Sequence, residues 1–588
     1  IVVSTYTIAL QEQLIGKDLP FLADTLPLKF SAVLGKGRNN YLCFRRLGLT
    51  LKGRERFFSS ARQQKQLDKL TEWAMQTESG ALQDIEFRLD DRIRQAVRSE
   101  SNICRSRKCA QYEKCHFQAA RRRVQAADIV VANHALFFSD LALQSVSASL
   151  LGAYDLLVLD EAHTIERAAS DHFGLSVSSA GVQFLLRQLY NDRTDRGLLG
   201  LMGDKKAIAA VNRAAVQAEQ FFDALACCSA PAVAPSGRIQ GPNAVPNTLT
   251  PALVHVVEQL KQLRRRKGAD EQAFELVGFQ QRTAELGEKV HQLICQVNED
   301  HAYWATTRTT RTGRSVTLAS APIDVAPILR PLIFESVNSA VLTSATLATA
   351  RGGEHGFDYL RGRLGLEEGR ELLLASPFDF RRHVALHIET HLPNPNNLQA
   401  FLDPACKAIE YYVDKSQGRC FVLFTSYAML RAVGERVEAF CRDKDYQLLI
   451  QGKSLPRTAM LKRFRRGGRS VLLGTMSFWQ GVDVAGEALS NVIIAKLPFA
   501  VPNEPIVEAR IDAIRQGGGN PFGEYQLPEA IILFKQGFGR LVRSTTDTGF
   551  VVVLDHRIAT KPYGRAFLAA LPETRIIRDE FTGKASGR

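Results

Sequence analysis

Three thiols fall within twelve residues in the stretch CRSRKCAQYEKC, Cys104 to Cys115, where five of the other nine positions are Arg, Lys or Glu. Cysteines so placed in a polar stretch have the spacing of metal ligands, and a metal held by thiolates wants a fourth. The chain has ten cysteines, at 43, 104, 109, 115, 227, 228, 295, 406, 420 and 441. That low density in a large chain argues against a disulfide framework, and the scattered ones read as core thiols. A redox sensor needs only one or two cysteines, so lone reactive thiols fit the stretch less well.

A second set of residues suits phosphoryl chemistry. YDLLVLDEAH, residues 154–163, is an apolar strand that ends in two carboxylates. Phosphoryl transfer needs an acid to hold Mg²⁺, directly or through water, and a second group to orient the attacking water. Asp160 and Glu161 suit those roles; a helix N-cap is the competing reading. LTSATL, residues 342–347, is again a strand end followed by small hydroxyl residues, and alone it reads equally well as a turn. QGFGRLVRS, residues 536–544, places Arg540 and Arg543 at i, i+3, on one face of a helix. Guanidinium groups there stabilise charge developing on a γ-phosphate, while the competing reading is a solvated basic face. A metal-dependent nuclease built on Asp160 and Glu161 would need a further carboxylate or His cluster of metal-ligand type, which the sequence lacks.

Composition bounds these readings. At 588 residues the chain is too long for one core and should hold about three or four domains. It is 45% hydrophobic, 23% charged and 8% aromatic, as soluble globular proteins are, and its net charge of +14 favours a polyanionic partner. From Arg94 to Arg123 nine Lys or Arg stand against two Glu, interleaved with Tyr112 and Phe117. Basic grooves with stacking aromatics bind single strands without reading sequence. A second basic run, Lys462, Arg463, Arg465, Arg466 and Arg469, fits a phosphate-facing helix or a solvated one equally. The stretch Ala135 to Leu159 lacks Lys and Arg but carries Asp140, Gln144 and Asp155, which a membrane-spanning helix tolerates poorly. Neither a signal peptide nor an initiator Met opens the chain, and IVVSTYTIAL reads as a strand cut from its upstream neighbour. A cytoplasmic protein is expected.

The elements that must position these groups follow from hydrophobic pattern. IVVST, ADIVVANH, YDLLVLDEAH, AVLTSATL, CFVLFTSY, SVLLGTMS, NVIIAKLPF and GFVVVLDHR are short aliphatic runs, each followed by helix-like text. That alternation predicts parallel sheets covered on both faces, with ligands bound at the strand ends. Two insertions interrupt it: a cysteine-bearing one from about Tyr41 to His116, and a largely helical one from about 175 to 315. In the second, Leu286, Val290, Leu293 and Val297 recur at helical spacing, and five prolines between Pro231 and Pro251 predict a surface loop.

Taken in order, IVVSTYTIALQEQL, DEAH, LTSATL, VLFTSY, GTMSFWQGVD and QGFGRLVR resemble the motif succession of superfamily 2 helicases. With the cysteine-bearing and helical insertions around the DEAH box, the chain resembles the XPD/Rad3-like iron–sulfur helicases, and within them the bacterial DinG/YoaA branch. GKGRNNYLC, SPFDF, FWQGVDV, KLPF and FKQGFGRLVR carry the likeness, which spans essentially the whole chain. The absence of a nuclease domain makes it closer to the YoaA side.

The resemblance implies a fold and a set of roles. The fold is α/β, two RecA-like parallel-sheet lobes, the first interrupted by an iron–sulfur domain and a helical arch. Its expected divisions are lobe 1 at 1–42, 117–175 and 316–368, the cluster domain at 43–116, the arch at 176–315, and lobe 2 at 369–588. The cluster ligands map to Cys43, Cys104, Cys109 and Cys115, a C-x60-C-x4-C-x5-C arrangement suited to a [4Fe–4S] cluster. Zinc accepts the same set, and spacing alone leaves both open. Ser4, Thr5, Thr425 and Ser426 would contact DNA, and Thr343, Ser344 and Thr346, grouped with them, would couple ATP state to lobe movement. Gly481 and Asp483, with Gln536, Arg540 and Arg543, would complete the ATP site, and His163 would link the acid pair to neighbouring motifs. Trp479 reads as a core residue.

The implied activity is ATP- and Mg²⁺-dependent translocation on single-stranded and forked DNA, 5′ to 3′, in repair or replication. A monomer with a replication or repair protein as partner, and no membrane, is expected. One departure stands out. The phosphate-cradling G-x-x-x-x-G-K-[ST] is not found: Gly452-Lys453-Ser454 has Gln447 where the first Gly belongs, and it follows the DEAH box. The P-loop is expected upstream of residue 1, so residues 1–588 alone should not hydrolyse ATP. A non-catalytic nucleic-acid-binding scaffold around a metal cluster is the alternative.

Overall fold

Runs of Val, Ile and Leu build the sheets of the computed structural model, which describes residues 1–54, 58, 60–144, 149–228, 233–267, 271–310, 313–350, 356–453, 455–480 and 486–581. The chain divides into two compact units, Ile1–Leu342 with Asn503–Ala509, and Thr343–Pro502 with Arg510–Arg588. The strands in chain order begin with β1 (Val2–Thr5), β2 (Ala32–Leu34), β3 (Ile129–Asn133) and β4 (Leu156–Asp160). They continue with β5 (Leu175–Ser178), β6 (His301–Thr310), β7 (Gly313–Pro322) and β8 (Ser339–Thr343). Then come β9 (Val384–Ile388), β10 (Cys420–Leu423), β11 (Gln447–Ile450), β12 (Ser470–Gly474), β13 (Asn491–Ile494), β14 (Gly549–Val553) and β15 (Arg575–Arg578).

Among the described residues, the first unit's main sheet runs β2-β3-β1-β4-β8. β1 lies parallel to β3 on one side and to β4 on the other, with Ser4 opposite both Ala132 and Leu159. The first strand of the chain is therefore central, and its side chains are covered on both faces.

The cysteine-bearing insertion has a core of its own. Helices Phe44–Lys52, Ala61–Gln76 and Asp91–Val97 pack Leu47, Leu67, Leu70, Ile93 and Val97 together, all essentially buried. The second insertion carries the long helices Lys205–Cys227, Leu249–Lys267 and Glu271–Cys295. Val290 and Leu293 are buried as their spacing predicts, but Val297 lies beyond the helix end and is exposed. The region is less helical than expected. β6 and β7, ten residues each, form an antiparallel hairpin, and β5 pairs with β7. Thr-, Val- and aromatic-rich text such as YWATTRTT favours a pleated, half-buried ribbon over a helix.

In the second unit the described strands follow the order β11-β12-β10-β13-β14-β9-β15, and every neighbouring pair is parallel. Alternation along β10 sorts the two faces: Phe421 and Leu423 enter one core, Cys420 and Val422 the other. Trp479 is fully buried, with its indole nitrogen donating to the Phe424 carbonyl at 3.1 Å. It belongs to the core, as the sequence suggested. A Cβ on Gly537 would come within 2.8 Å of the Trp479 ring, so the helix Leu527–Phe538 needs glycine there.

Candidate functional site

The acid pair sits at the carboxyl end of β4, where an open parallel sheet presents its ligand-binding residues. Thr5, at the end of neighbouring β1, donates its hydroxyl to Asp160 Oδ2 at 2.8 Å. Glu161 follows in the left-handed region, φ 52°, an uncommon conformation for a residue with a side chain. There the Glu161 carbonyl accepts from Thr164 N and Thr164 Oγ1, both at 2.9 Å, while its carboxylate makes no capping hydrogen bond. The chain turns through the Glu161 backbone, leaving the carboxylate oxygen Oε2 3.4 Å from Nδ1 of buried His163. For Glu161 the helix-cap reading therefore fails, because its side chain makes no cap hydrogen bond and its backbone carbonyl accepts instead. His163 thus sits beside Glu161 of the acid pair.

Ser4 and Thr5 were expected to touch DNA; both are fully buried, at 0% exposure, which corrects that expectation. Their hydroxyls point into the lobe because β1 is flanked on both sides. Thr5 serves Asp160, and Ser4 Oγ lies 2.7 Å from His134 Nδ1. Sequence reasoning missed His134. It follows β3 in ADIVVANH, a polar residue at the end of a strand adjacent to β1, and that position was the available signal. Burial pushes His134 down to about 4, the Asp160 charge opposing, so the imidazole stays neutral at physiological pH.

Cys43, Cys104, Cys109 and Cys115 line one cavity, with Arg45, Arg46 and Tyr112 around them. Cys43 and Cys115 occupy the positions just before helices Phe44–Lys52 and His116–Ala126, and helix N-termini favour thiolates. Cys104 Sγ accepts from Ser106 N at 3.4 Å. Burial raises the Cys104 thiol, but the Ser106 amide and the Arg38 guanidinium outweigh it and hold the group below its ordinary value. Burial holds Cys43 above its ordinary value, and the Cys115 sulfur adds to the effect. The donor set fits a cluster held by four thiolates. A single zinc with bonds of about 2.3 Å would draw its four sulfurs to about 3.8 Å apart. Among the described residues these sulfurs do not gather within 4.8 Å of one another.

Around the cavity, charge is paired off. Glu100 meets Arg98 at 3.0 Å, Arg46 at 3.1 Å and Arg282 of the helix Glu271–Cys295 at 3.7 Å. From the same helix Glu275 meets Arg45 at 3.0 Å, which ties the helical insertion to the cysteine-bearing one. Phe117, expected as a stacking aromatic, is buried instead, with Arg38 over its ring at 4.0 Å. Arg107, Lys108, Lys114, Arg122 and Arg123 are exposed. The basic run thus splits into a paired half and a solvent-facing half.

In the second unit, Gln536 is buried and donates from Nε2 to Thr346 Oγ1 at 3.3 Å, while Thr346 N donates to Ser344 Oγ at 3.2 Å. Those expected site residues come together; Thr343 is exposed beside them. Arg540 and Arg543 lie past the end of the helix Leu527–Phe538, which corrects the expected helical face. The helix stops at Gly539, whose N–H donates to the Lys535 carbonyl at 2.8 Å. The loop is instead shaped by Asp547, whose Oδ2 accepts from Arg543 N at 2.8 Å and Ser544 N at 2.9 Å. Ser426 caps the helix Tyr427–Asp443, accepting from Met429 N, and it is exposed; Thr425 is half-buried. Lys462, Arg463, Arg465, Arg466 and Arg469 are all exposed, with Met460 and Phe464 buried beneath. Gly481, Asp483 and Ser454 lie outside the described residues. Lys453 pairs with Glu438 at 3.0 Å on the surface.

Comparison with known proteins now bears on this arrangement. The DEAD_2 family model matches residues 82–182 and the helicase C-terminal domain model matches 409–574. The ATP-dependent DNA helicase YoaA of Escherichia coli is 33% identical over 98% of this chain and 88% of its own. The chain belongs to the XPD/DinG-like helicase family. YoaA of Haemophilus influenzae is 32% identical over 98% of this chain and 87% of its own. The ATP-dependent DNA helicase DinG of Photobacterium profundum is 29% identical over 98% and 88%. A solved XPD helicase shares the fold, with a TM-score of 0.57 at 13% identity over 98% of this chain and 91% of its own. As a member of this helicase family the chain has its two α/β units accounted for, and among the described residues no helix is long and apolar enough to cross a membrane.

Proposed function

We propose that this helicase-family chain is the motor of an ATP-dependent DNA helicase that moves along single-stranded DNA, 5′ to 3′, and opens forked duplexes in repair or replication. The observation that carries the reading is the acid pair: Asp160 oriented by Thr5, and Glu161 turned out of the helix cap by its own backbone. Asp160 holds the Mg²⁺ of the nucleotide, directly or through water, and Glu161 orients the attacking water. Buried neutral His134 and Ser4 brace the strand ends from beneath. Gln536, Arg540 and Arg543 contribute to ATP turnover, and the Gln536–Thr346 hydrogen bond links that group to the hydroxyls after β8. The exposed bases of 107–123 and 462–469 neutralise DNA phosphates. The domain divisions and a monomeric state belong to the same proposal.

Cys43, Cys104, Cys109 and Cys115 hold a [4Fe–4S] cluster in this reading, supported by their shared cavity and by the likeness to the XPD/DinG-like helicases. When bound, such a cluster cross-links the cysteine-bearing insertion; nothing in the site requires it to exchange electrons. The protein expressed from its own gene and purified anaerobically should carry about four irons per chain and a broad visible absorption. One zinc and no colour would remove the cluster from the account. ATP hydrolysis measured with and without single-stranded DNA tests the motor, with stimulation by DNA as the expected outcome.

A further inference from the structure

β9 and β15 are adjacent parallel strands in the second unit, and just beyond their carboxyl ends three ligand-type side chains meet. His391 Nδ1 lies 3.5 Å from Glu389 Oε2 and 3.3 Å from Asp579 Oδ1, and the three donor atoms all lie within 4.8 Å of one another. Among the described residues no other trio of His, Cys, Asp or Glu gathers so closely. We propose that Glu389, His391 and Asp579 form a zinc-binding site that staples β15 to β9.

The spacing is compatible with zinc. Tetrahedral bonds of about 2.0–2.2 Å to nitrogen and oxygen put ligand atoms about 3.3–3.6 Å apart, close to the 3.3 Å His391–Asp579 hydrogen bond and the 3.5 Å His391–Glu389 ion pair that a metal would replace. An octahedral Mg²⁺ would want edges of about 3.0 Å and all-oxygen ligands. One imidazole with two carboxylates is a donor set that zinc accepts, with a fourth position left to water.

An independent observation points to a cation. Glu389 is 0% exposed, yet its Oε2 accepts no hydrogen bond. The charged group nearest that oxygen is the His391 imidazole at 3.5 Å, beyond a good hydrogen bond, and a cation held between them would satisfy both. Its other oxygen is fixed: Oε1 accepts from the Tyr412 hydroxyl and from Phe581 N at 3.2 Å. Asp579 is fixed too, by Thr390 N and Thr390 Oγ1, both at 2.6 Å. Partners that orient a ligand from behind are what metal sites possess. The neighbouring Glu580 faces other groups, pairing with His387 at 2.6 Å and with Lys415.

The test titrates Zn²⁺ into the complete protein, purified with its iron retained, and measures bound zinc and iron by mass spectrometry after equilibrium dialysis. Wild type should take up one zinc equivalent more than His391→Ala at unchanged iron content, with zinc affinity at this site at least about tenfold weaker in the variant. Zinc should raise the thermal midpoint of wild type and not that of His391→Ala. Because His391 and Asp579 are exposed, at 41% and 42%, Asp579→Asn provides a second variant should the first fail to fold. Equal zinc uptake and equal midpoints in wild type and a folded variant would overturn the proposal, leaving an ion-paired triad.

Discussion

The Thr5 hydroxyl donates to Asp160 Oδ2 across 2.8 Å, joining the ends of two adjacent parallel strands through a single side-chain contact. A hydrogen bond to a charged group contributes roughly 1.5–3 kcal/mol, and here it sets the direction in which the carboxylate proposed to hold Mg²⁺ points. Thr5→Ala should therefore lower the turnover number for ATP roughly ten- to hundredfold, and Thr5→Ser should restore most of it. DNA affinity should stay unchanged, because Thr5 is fully buried. Steady-state hydrolysis and DNA binding measured on the same preparations check both halves.

His134 makes acid a liability. Its folded value of about 4 lies below the ordinary 6.5, so between those limits the unfolded chain takes up a proton that the folded chain refuses. The stabilisation is fully present above about pH 6.5 and falls as pH drops toward 4, by about 3 kcal/mol in all at 1.36 kcal/mol per unit. His134→Gln should flatten that part of the curve. Denaturant unfolding of wild type and variant between pH 7 and pH 4.5 reads it directly.

Glu100 acts in a lower window. Burial alone would raise its carboxyl, but Arg46, Arg282 and Arg98 outweigh that and hold it below the usual carboxylate value. Its contribution is present above about pH 4.3 and is lost as pH falls through the lowered folded value. Glu100→Gln removes the charge that three guanidiniums share, and should destabilise the cysteine-bearing insertion by about 3 kcal/mol at pH 7. Hydrogen exchange confined to residues 41–126 measures the loss.

What the sequence made legible was whatever depends on local pattern. The aliphatic runs that became β1, β3, β4, β10, β12, β13 and β14 are largely buried strands because nothing else hides so many branched side chains, whereas β8 forms a strand with Val341 exposed. β9 and β15 escaped because VALHI carries His387 and RIIR is half charged, and a neighbouring strand had to cover what their own text does not reveal. The Asp160–Glu161 pair was readable as chemistry, whereas the inward direction of Ser4 and Thr5 was not. Whether a strand-end hydroxyl faces solvent or a neighbour depends on which strand lies beside it, and β3 and β4 are more than a hundred residues away in sequence. Phe117 shows the same limit, since an aromatic among arginines stacks on whichever partner arrives first, and here that is Arg38.

Under the proposed function, strand separation depends on Asp160 and Glu161. Unwinding of a forked duplex with a free 5′ single strand, by the complete protein with ATP and Mg²⁺, measures it most directly, beside Glu161→Gln on the same substrate. Wild type should unwind the fork with ATP, and Glu161→Gln should lose at least a hundredfold of that rate with DNA binding largely intact. Unwinding that persists in the variant, or proceeds without ATP, would contradict the proposed function.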